Sequence, residues 1–270
     1  SAFTLTLALL AALAAGVCPR TSRAAASRKR VHLRVMSYNI HVGIGMDKKL
    51  DLARIAEVIN DEKPDLVGLQ EVDRGVKRTN GVDQIAELAR MTKMEYAFAP
   101  NLDYQGGKYG VAVLSRFPIL AIDHRRYQNL REAERRGFLR VEIRYAGRRV
   151  HFVTTHLDYQ HADGRLYEAR QLLKALAEVR GPVILTADLN DEPTGETYKL
   201  VTETFFDAYM VATPGLTGGY TYPADNPRKR IDYIFVRKGD GAKPHGVDYW
   251  NSSQASDHRP FSAFVDVFDR

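Results

Sequence analysis

The chain has 270 residues, 44% of them hydrophobic, with 39 basic and 33 acidic side chains, a formal charge of +6 and a single cysteine. That length and apolar content support one large core or two modest ones. The mild basic excess suits a phosphate-bearing substrate but is far from a nucleic-acid-coating charge, and one cysteine excludes an internal disulfide framework or a thiolate cluster for a metal.

Residues 2–17 are almost wholly apolar, broken only by Thr4, Thr6 and Gly16. The run is short for a membrane span, which needs about 20 residues. Ala24, Ala25 and Ala26 supply the small-residue pattern of a signal peptidase site, so residues 1–26 read as a signal-peptide-like segment cleaved before Ser27. Export to the periplasm or the medium is the expectation. The alternative is an uncleaved anchor over residues 2–17, which alone would bring membrane contact. Cys18, Arg20 and Arg23 leave with the segment, so the mature chain has no thiol nucleophile. No composition break, repeat or low-complexity tract follows Val31. Residues 27–270 are therefore expected to form a single domain and to act as a monomer without an obligate protein partner.

HLRVMSYNI alternates as a strand does. In DLARIAEVINDE, Leu52, Ile55, Ala56 and Ile59 recur at helical spacing until Pro64. DLVGLQEV is short and apolar on both faces, as in a buried strand. DQIAELARM predicts a second amphipathic helix, and KYGVAVLSRFPIL a strand with a turn at Phe117 and Pro118. FLRVEIRYAGRRVHFVTTHL predicts two antiparallel strands joined at Ala146 and Gly147. Residues 165–179 form the clearest helix, Pro182 opens the strand VILTADL, and RIDYIFV and PFSAFVDVF are the last strands. Residues 202–229 are turn-rich and predict a surface loop beside the site. Strand pairs with intervening helices predict an α/β layered domain.

Polar residues sit at or just beyond the ends of these apolar runs. They are Asn39 in VMSYNIH, Glu71 in LVGLQEVD, His156 in VTTHLDY, Asp188 and Asn190 in ILTADLND, Asp232 in KRIDYIFV, and Asp257 and His258 in SDHRP. Strands that end this way bring such groups to one mouth, where they suit a divalent cation with water-activating groups beside it.

This ordered set, spanning about Val31 to Val267, resembles the endonuclease/exonuclease/phosphatase superfamily, which includes pancreatic-type DNases, apurinic endonucleases, inositol polyphosphate 5-phosphatases and neutral sphingomyelinases. The resemblance implies a four-layer α/β sandwich, with two mixed sheets face to face, helices outside and the site at one end. It implies hydrolysis of phosphodiester bonds by in-line attack of an activated water. Glu71 and Asp257 would hold Mg²⁺, or Mn²⁺ in its place, with Asn39 bound through its carbonyl oxygen or a water. His258, oriented by Asp232, and Asp188 are the two candidates for the base. Asn190 and His156 would donate to phosphoryl oxygens.

Asp73 and Arg74 read as surface residues, His41 as a rim group, and Arg228 and Lys229 as basic loop residues within reach of a phosphate. Asp158 shares the motif of His156 without an evident role. The chain departs from the better-known branches. It has PRKRIDY where apurinic endonucleases have a tryptophan before the last aspartate motif, its only tryptophan is Trp250, and it lacks the PAWCDR motif of the 5-phosphatases. The acid that partners the equivalent of His156 in pancreatic DNases has no clear counterpart in QGGKYGV. SYNIHVG and YPADNPRKRIDYIFV look most like the exported bacterial members. Nucleic acid is the leading substrate. Phospholipids, inositol phosphates and other small phosphate esters are the alternative, favoured by the modest charge and by the lack of an aromatic stacking platform among the motif loops. A non-catalytic binding module has no need for His258 paired with Asp232.

Overall fold

A computed structural model of the chain describes residues 30–249 and 254–268. The leader-like segment with its cleavage point, and Trp250, lie outside the described residues.

In chain order the elements are β1 (Arg30–Asn39), α1 (Leu52–Glu62), β2 (Leu66–Arg74), α2 (Gln84–Thr92), β3 (Glu95–Tyr104), β4 (Gly107–Ser115), β5 (Ala121–Arg126), β6 (Gly137–Tyr145) and β7 (Arg148–His156). There follow α3 (Ala162–Ala177), β8 (Val183–Asp188), α4 (Glu196–Thr204), β9 (Phe205–Asp207), α5 (Ala208–Ala212), β10 (Asp232–Arg237), β11 (Ala242–Tyr249) and β12 (Phe261–Phe268). The helix starts follow from local chemistry. Asp51 caps α1 by accepting from Ala53 N and Arg54 N, and Asp83 caps α2 by accepting from Ala86 N.

The strands form two mixed six-stranded sheets, ordered β11-β12-β1-β2-β4-β3 and β5-β6-β7-β8-β10-β9. Side-chain alternation then sets three apolar layers. Leu33, Val35 and Val113 of the first sheet meet Val141, Phe152 and Ile234 of the second between the sheets. Met36, Tyr38 and Leu69 point outward against Ile55, Ile59 and Leu88 of α1 and α2. On the other side Val153, Leu185 and Phe235 pack on Leu172, Leu176 and Val201 of α3 and α4. The result is the expected four-layer sandwich of helices, sheet, sheet and helices.

The turn-rich region begins later than expected. The stretch 202–212 is not loop but the end of α4, β9 and α5, because Phe205 and Ala208 are buried and β9 pairs with β10. Irregular chain runs from 213 to 231.

Toward the site the interface between the sheets changes from aliphatic to small and polar. Ser37, Gln70, Thr154 and Thr186 are fully buried there beside the buried Gly68, and Gln70 Nε2 donates to Thr154 Oγ1 at 2.9 Å. Gly68 allows this approach: a Cβ on it would stand 1.9 Å from Thr186 Oγ1. Gly68→Ala is therefore expected to destabilise the fold by about 1–3 kcal/mol through overpacking. Urea unfolding measures the loss, and adding Thr186→Ala should recover part of it; an unchanged midpoint for Gly68→Ala would refute this packing.

Candidate active site

Each candidate side chain leaves its strand at the same end of the sandwich. The register of β7, β8 and β10 sets His156 opposite Asp188, and Asp188 opposite Asp232. On the facing sheet β1 ends at Asn39, paired with Gln70, and β12 runs antiparallel to β1, so the Asp257–His258 segment before it returns to the same mouth. Ser256 fastens that segment: its Oγ donates to Asn39 O at 2.7 Å and accepts from His258 N at 3.2 Å. Glu71 arrives by a different route. The β2–β4 register slips between Leu69 and Val72, and Glu71 adopts left-handed backbone at φ 57°. Asn190 does the same at φ 50° just past β8. Such backbone in a residue with a Cβ costs on the order of 1–3 kcal/mol and clusters at functional sites. Both side chains line the mouth.

Asp188 is the hub. Its carboxylate, 1% exposed, accepts from Asn39 Nδ2 at 2.9 Å and Asn190 N at 3.0 Å. The same Asn39 nitrogen donates to Glu71 Oε1 at 3.0 Å, while Asn39 Oδ1 accepts from His41 N at 3.0 Å. Asn39 thus clasps the two carboxylates through its nitrogen, with its carbonyl oxygen engaged by backbone. His258 Nε2 lies 3.9 Å from Asp188 Oδ2, and its Nδ1 lies 2.8 Å from Asp232 Oδ2. Burial, then the neighbouring Asp232, raises the Asp188 carboxyl above the usual carboxylate range. Burial opposes charge on the His258 ring, but Asp232, Asp188 and Asp257 outweigh it and make the ring more basic than an ordinary imidazole. Both shifts favour a proton on the cluster, and groups this close titrate as a unit.

The opposite wall contains a residue that the sequence did not reveal. Arg136, 3% exposed, donates from Nη1 to His156 Nδ1 at 2.6 Å and pairs through Nη2 with Glu134 at 3.1 Å. The partner of His156 is thus a cation, not the acid that the resemblance implies. A guanidinium only donates, so Nδ1 carries the lone pair and Nε2 the proton. Burial, then the charges of Arg136 and His258, holds His156 well below the ordinary imidazole range. The ring is neutral and presents an N–H whose nearest carboxylate oxygen is Asp188 Oδ2, 3.5 Å away. Asn190 Nδ2, which donates to Leu157 O at 3.1 Å, sits 3.0 Å from the same Nε2; with the proton on Nε2 this is a close approach of two donors and not a hydrogen bond, and both are open to an oxygen that enters the cavity.

The rim corrects two further expectations. Asp73 is not a surface residue: it is fully buried and holds Arg78 through bonds to Nε at 2.7 Å and Nη2 at 2.9 Å. Arg78 lies under the Tyr104 ring, 4.7 Å from its centroid. Tyr104 and Tyr159, 39% and 56% exposed, stand beside the mouth. Two exposed rings therefore do flank the mouth, Tyr104 from β3 and Tyr159 from the end of the VTTHLDY motif, in the turn before α3. Lys229 lines the same cavity, whereas Arg230 is buried and bound to Asp207 at 2.6 Å. Asp158 shapes the turn into α3 by accepting from Gln160 N at 2.7 Å. His41 Nδ1 is 3.7 Å from Asp257 Oδ1, at the rim.

The cavity measures about 580 Å³, within the range that holds a small ligand or one unit of a polymer. Glu71 and Asp257 line it, Asp257 with 26% of its side chain exposed. Accessible oxygen donors of this kind fit a hard divalent cation that keeps several waters. The donor atoms of Asp188, Asp232 and His258 also lie within 4.8 Å of one another. That group fits a cation less well, because its three side chains are buried and already bonded to one another or to Asn39 and the Asn190 amide, which leaves little room for retained waters.

Residues 36–258 match the model of the Endonuclease/Exonuclease/phosphatase family. The chain belongs to this family. It is 26% identical over 244 residues to the uncharacterized protein YbhP of Escherichia coli strain K12, covering 86% of this chain and 95% of that protein. The crystal structure of an endonuclease/exonuclease/phosphatase from Beutenbergia cavernae is similar at TM-score 0.70 and 25% identity, over 88% of this chain and 72% of that one. The mannosyl-6-phosphatase Bt3783 of Bacteroides thetaiotaomicron shares the fold at TM-score 0.70 and 18% identity, over 86% of this chain and 99% of that one. Family membership makes the chain a phosphoester hydrolase in class.

Asp232→Asn is expected to lower the His258 imidazole pKa by about 1 unit or more, since the lost carboxylate favours the charged ring. The stabilising contribution of the imidazolium is present below the unfolded-state value of about 6.5 and is lost as pH rises through the raised folded value. The variant should shed that contribution. NMR titration of the His258 ring in EDTA reads the shift, and an unmoved titration would contradict the pairing.

Proposed function

We propose that the chain is an exported, divalent-cation-dependent phosphodiesterase whose leading substrate is nucleic acid. The observation that carries the hydrolytic reading is the convergence on one cavity of the Glu71 and Asp257 carboxylates, the Asp232–His258 pair and the neutral His156–Asn190 wall. A phosphodiester presents the chemistry that such a set meets: a crowded anion, an attacking water and a departing oxygen. The export reading rests on the apolar run of residues 2–17 and the alanines before Ser27.

Glu71 and Asp257 would hold Mg²⁺ or Mn²⁺, which when bound neutralises phosphoryl oxygen charge. Asn39 keeps the Glu71 and Asp188 carboxylates in place from behind. Asp188 takes the proton of the attacking water, a role that its raised proton affinity supports. His258, charged and fixed by Asp232, donates from Nε2 toward the phosphoryl group. His156 Nε2–H and Asn190 Nδ2 donate to the non-bridging oxygens as their charge grows. Arg136 keeps the His156 proton on Nε2, the atom that faces the phosphate.

Tyr104, Tyr159, Arg78 and Lys229 favour nucleic acid, because exposed rings over a cationic floor stack bases and hold a flanking phosphate. A small phosphate ester is the second reading, favoured by the cavity volume and by the fold shared with a mannosyl-6-phosphatase.

Purified protein is assayed on DNA, RNA, a simple aryl phosphodiester and mannose 6-phosphate, with Mg²⁺, Mn²⁺ or EDTA. The expected result is chain cleavage of nucleic acid that EDTA abolishes, with Glu71→Ala and His258→Ala lowering kcat/KM by about 10²–10⁴-fold. Turnover of mannose 6-phosphate alone would replace the nuclease reading with the second one. Cleavage that persists in EDTA or in both variants would sink the mechanism.

Arg136→Met is expected to lower kcat more than it raises KM, and to shift the His156 ring toward the Nδ1–H tautomer. The ¹⁵N shifts of the imidazole report the tautomer directly; a ring unchanged in the variant would remove Arg136 from the mechanism.

A further inference from the structure

Three adjacent strands place a second cluster of ligating side chains at the far end of the first sheet. His32 stands on β1 directly opposite Asp266 on β12. His245 stands on β11, on the other side of β12. It is seven residues along β1 from His32 to Asn39, about 23 Å of strand, so the cluster lies well away from the cavity.

His245 falls at a bulge in β11. The β11–β12 register slips between Pro244 and Gly246, leaving His245 as the extra residue. Lys243 pairs with Asp266, so alternation places His245 on the face that carries Asp266, and the bulge leaves it there without a partner of its own on β12. Gly246 is the bulge partner, and a Cβ on it would come within 3.3 Å of the Phe264 ring. The two imidazoles meet on one oxygen: His32 Nδ1 is 2.5 Å and His245 Nδ1 3.0 Å from Asp266 Oδ1. The rings sit edge to face with centroids 4.9 Å apart. The carboxylate is sealed, with 5% of its side chain exposed, while the histidines are 55% and 40% exposed.

We propose that His32, His245 and Asp266 form a second metal site, which takes a transition ion of the Zn²⁺ type. All three donor atoms lie within 4.8 Å of one another. Ligands around a tetrahedral Zn²⁺ stand about 3.3 Å apart given its bond lengths, so the ion is admitted when His245 Nδ1 withdraws from Asp266 Oδ1 by about 0.3 Å and the half-exposed His32 ring by about 0.8 Å. Each ring then carries its proton on Nε2 and gives its Nδ1 lone pair to the metal, and the fourth position opens to water. Two imidazoles and one carboxylate suit Zn²⁺, Cu²⁺ or Ni²⁺ and not Mg²⁺, which demands oxygen ligands. The site therefore differs in metal preference from the Glu71–Asp257 pair. By joining β11, β12 and β1 it would staple the sheet edge at β11. Lys243, opposite Asp266 on β11, adds an opposing charge, and Lys243→Ala should tighten binding.

The test is equilibrium dialysis of the full chain against Zn²⁺ in excess Mg²⁺, compared with the His32→Ala/His245→Ala variant. The parent should retain one more equivalent of Zn²⁺ per chain, and Zn²⁺ should raise its Tm while leaving that of the variant unmoved. Equal stoichiometry, or Zn²⁺ lost from the parent as Mg²⁺ rises, overturns the proposal. A measurement on the parent alone covers a variant that fails to fold: Zn²⁺ should protect His32 and His245 from diethyl pyrocarbonate, mapped by mass spectrometry. Unprotected rings would equally overturn it.

Discussion

Two carboxylates, Asp188 and Asp232, face each other across adjacent strands with about one hundredth of their surface exposed. Buried like charges at this spacing are tolerated only if each is hydrogen-bonded and a counter-charge stands close by. Much of the site answers that need. Asn39 and the Asn190 amide bond Asp188, and the His258 ring bonds Asp232 with its other nitrogen toward Asp188. The left-handed turn at Asn190 supplies the backbone N–H that Asp188 accepts. The electrostatic demand of the pair thus reaches into both sheets.

The two histidines illustrate how environment divides one residue type between two roles. His258 faces carboxylates and is drawn toward the charged form. His156 faces a buried guanidinium and is held neutral. They stand on either side of Asp188, so one mouth offers a cationic donor and a neutral donor at fixed positions. Preorganised donors of this kind act without reorganising when charge develops.

Geometry is bought with packing at the same end of the sandwich. Gly68 and the small polar residues around it let the sheets approach where Gln70 crosses to Thr154, and the bulge beside it turns Glu71 into the mouth. A larger residue at 68 would separate the walls that position the carboxylates. Core packing and site geometry are therefore one problem in this region.

The α/β layering, the helices α1 to α3 and the eight motif residues were legible in the sequence, because each rests on a local signal: apolar spacing, or a polar residue ending an apolar run. Arg136, Arg78 and Tyr104 carried no such signal. Arg136 lies in the charged stretch EAERRGF, where either of the two arginines reads as solvated, and only the register of β6 against β7 turns one of them under His156. Asp73 was misread for the same reason, since its burial depends on Arg78 and Thr79 folding back over it. β3, β5 and β11 were not read as strands and are fixed by pairing with β4, β6 and β12. By itself the sequence determined which residues end strands and what chemistry they can offer. The tertiary structure decided which of them meet, which proton each histidine holds and where the aromatic rings stand, because those depend on contacts between residues far apart in the chain.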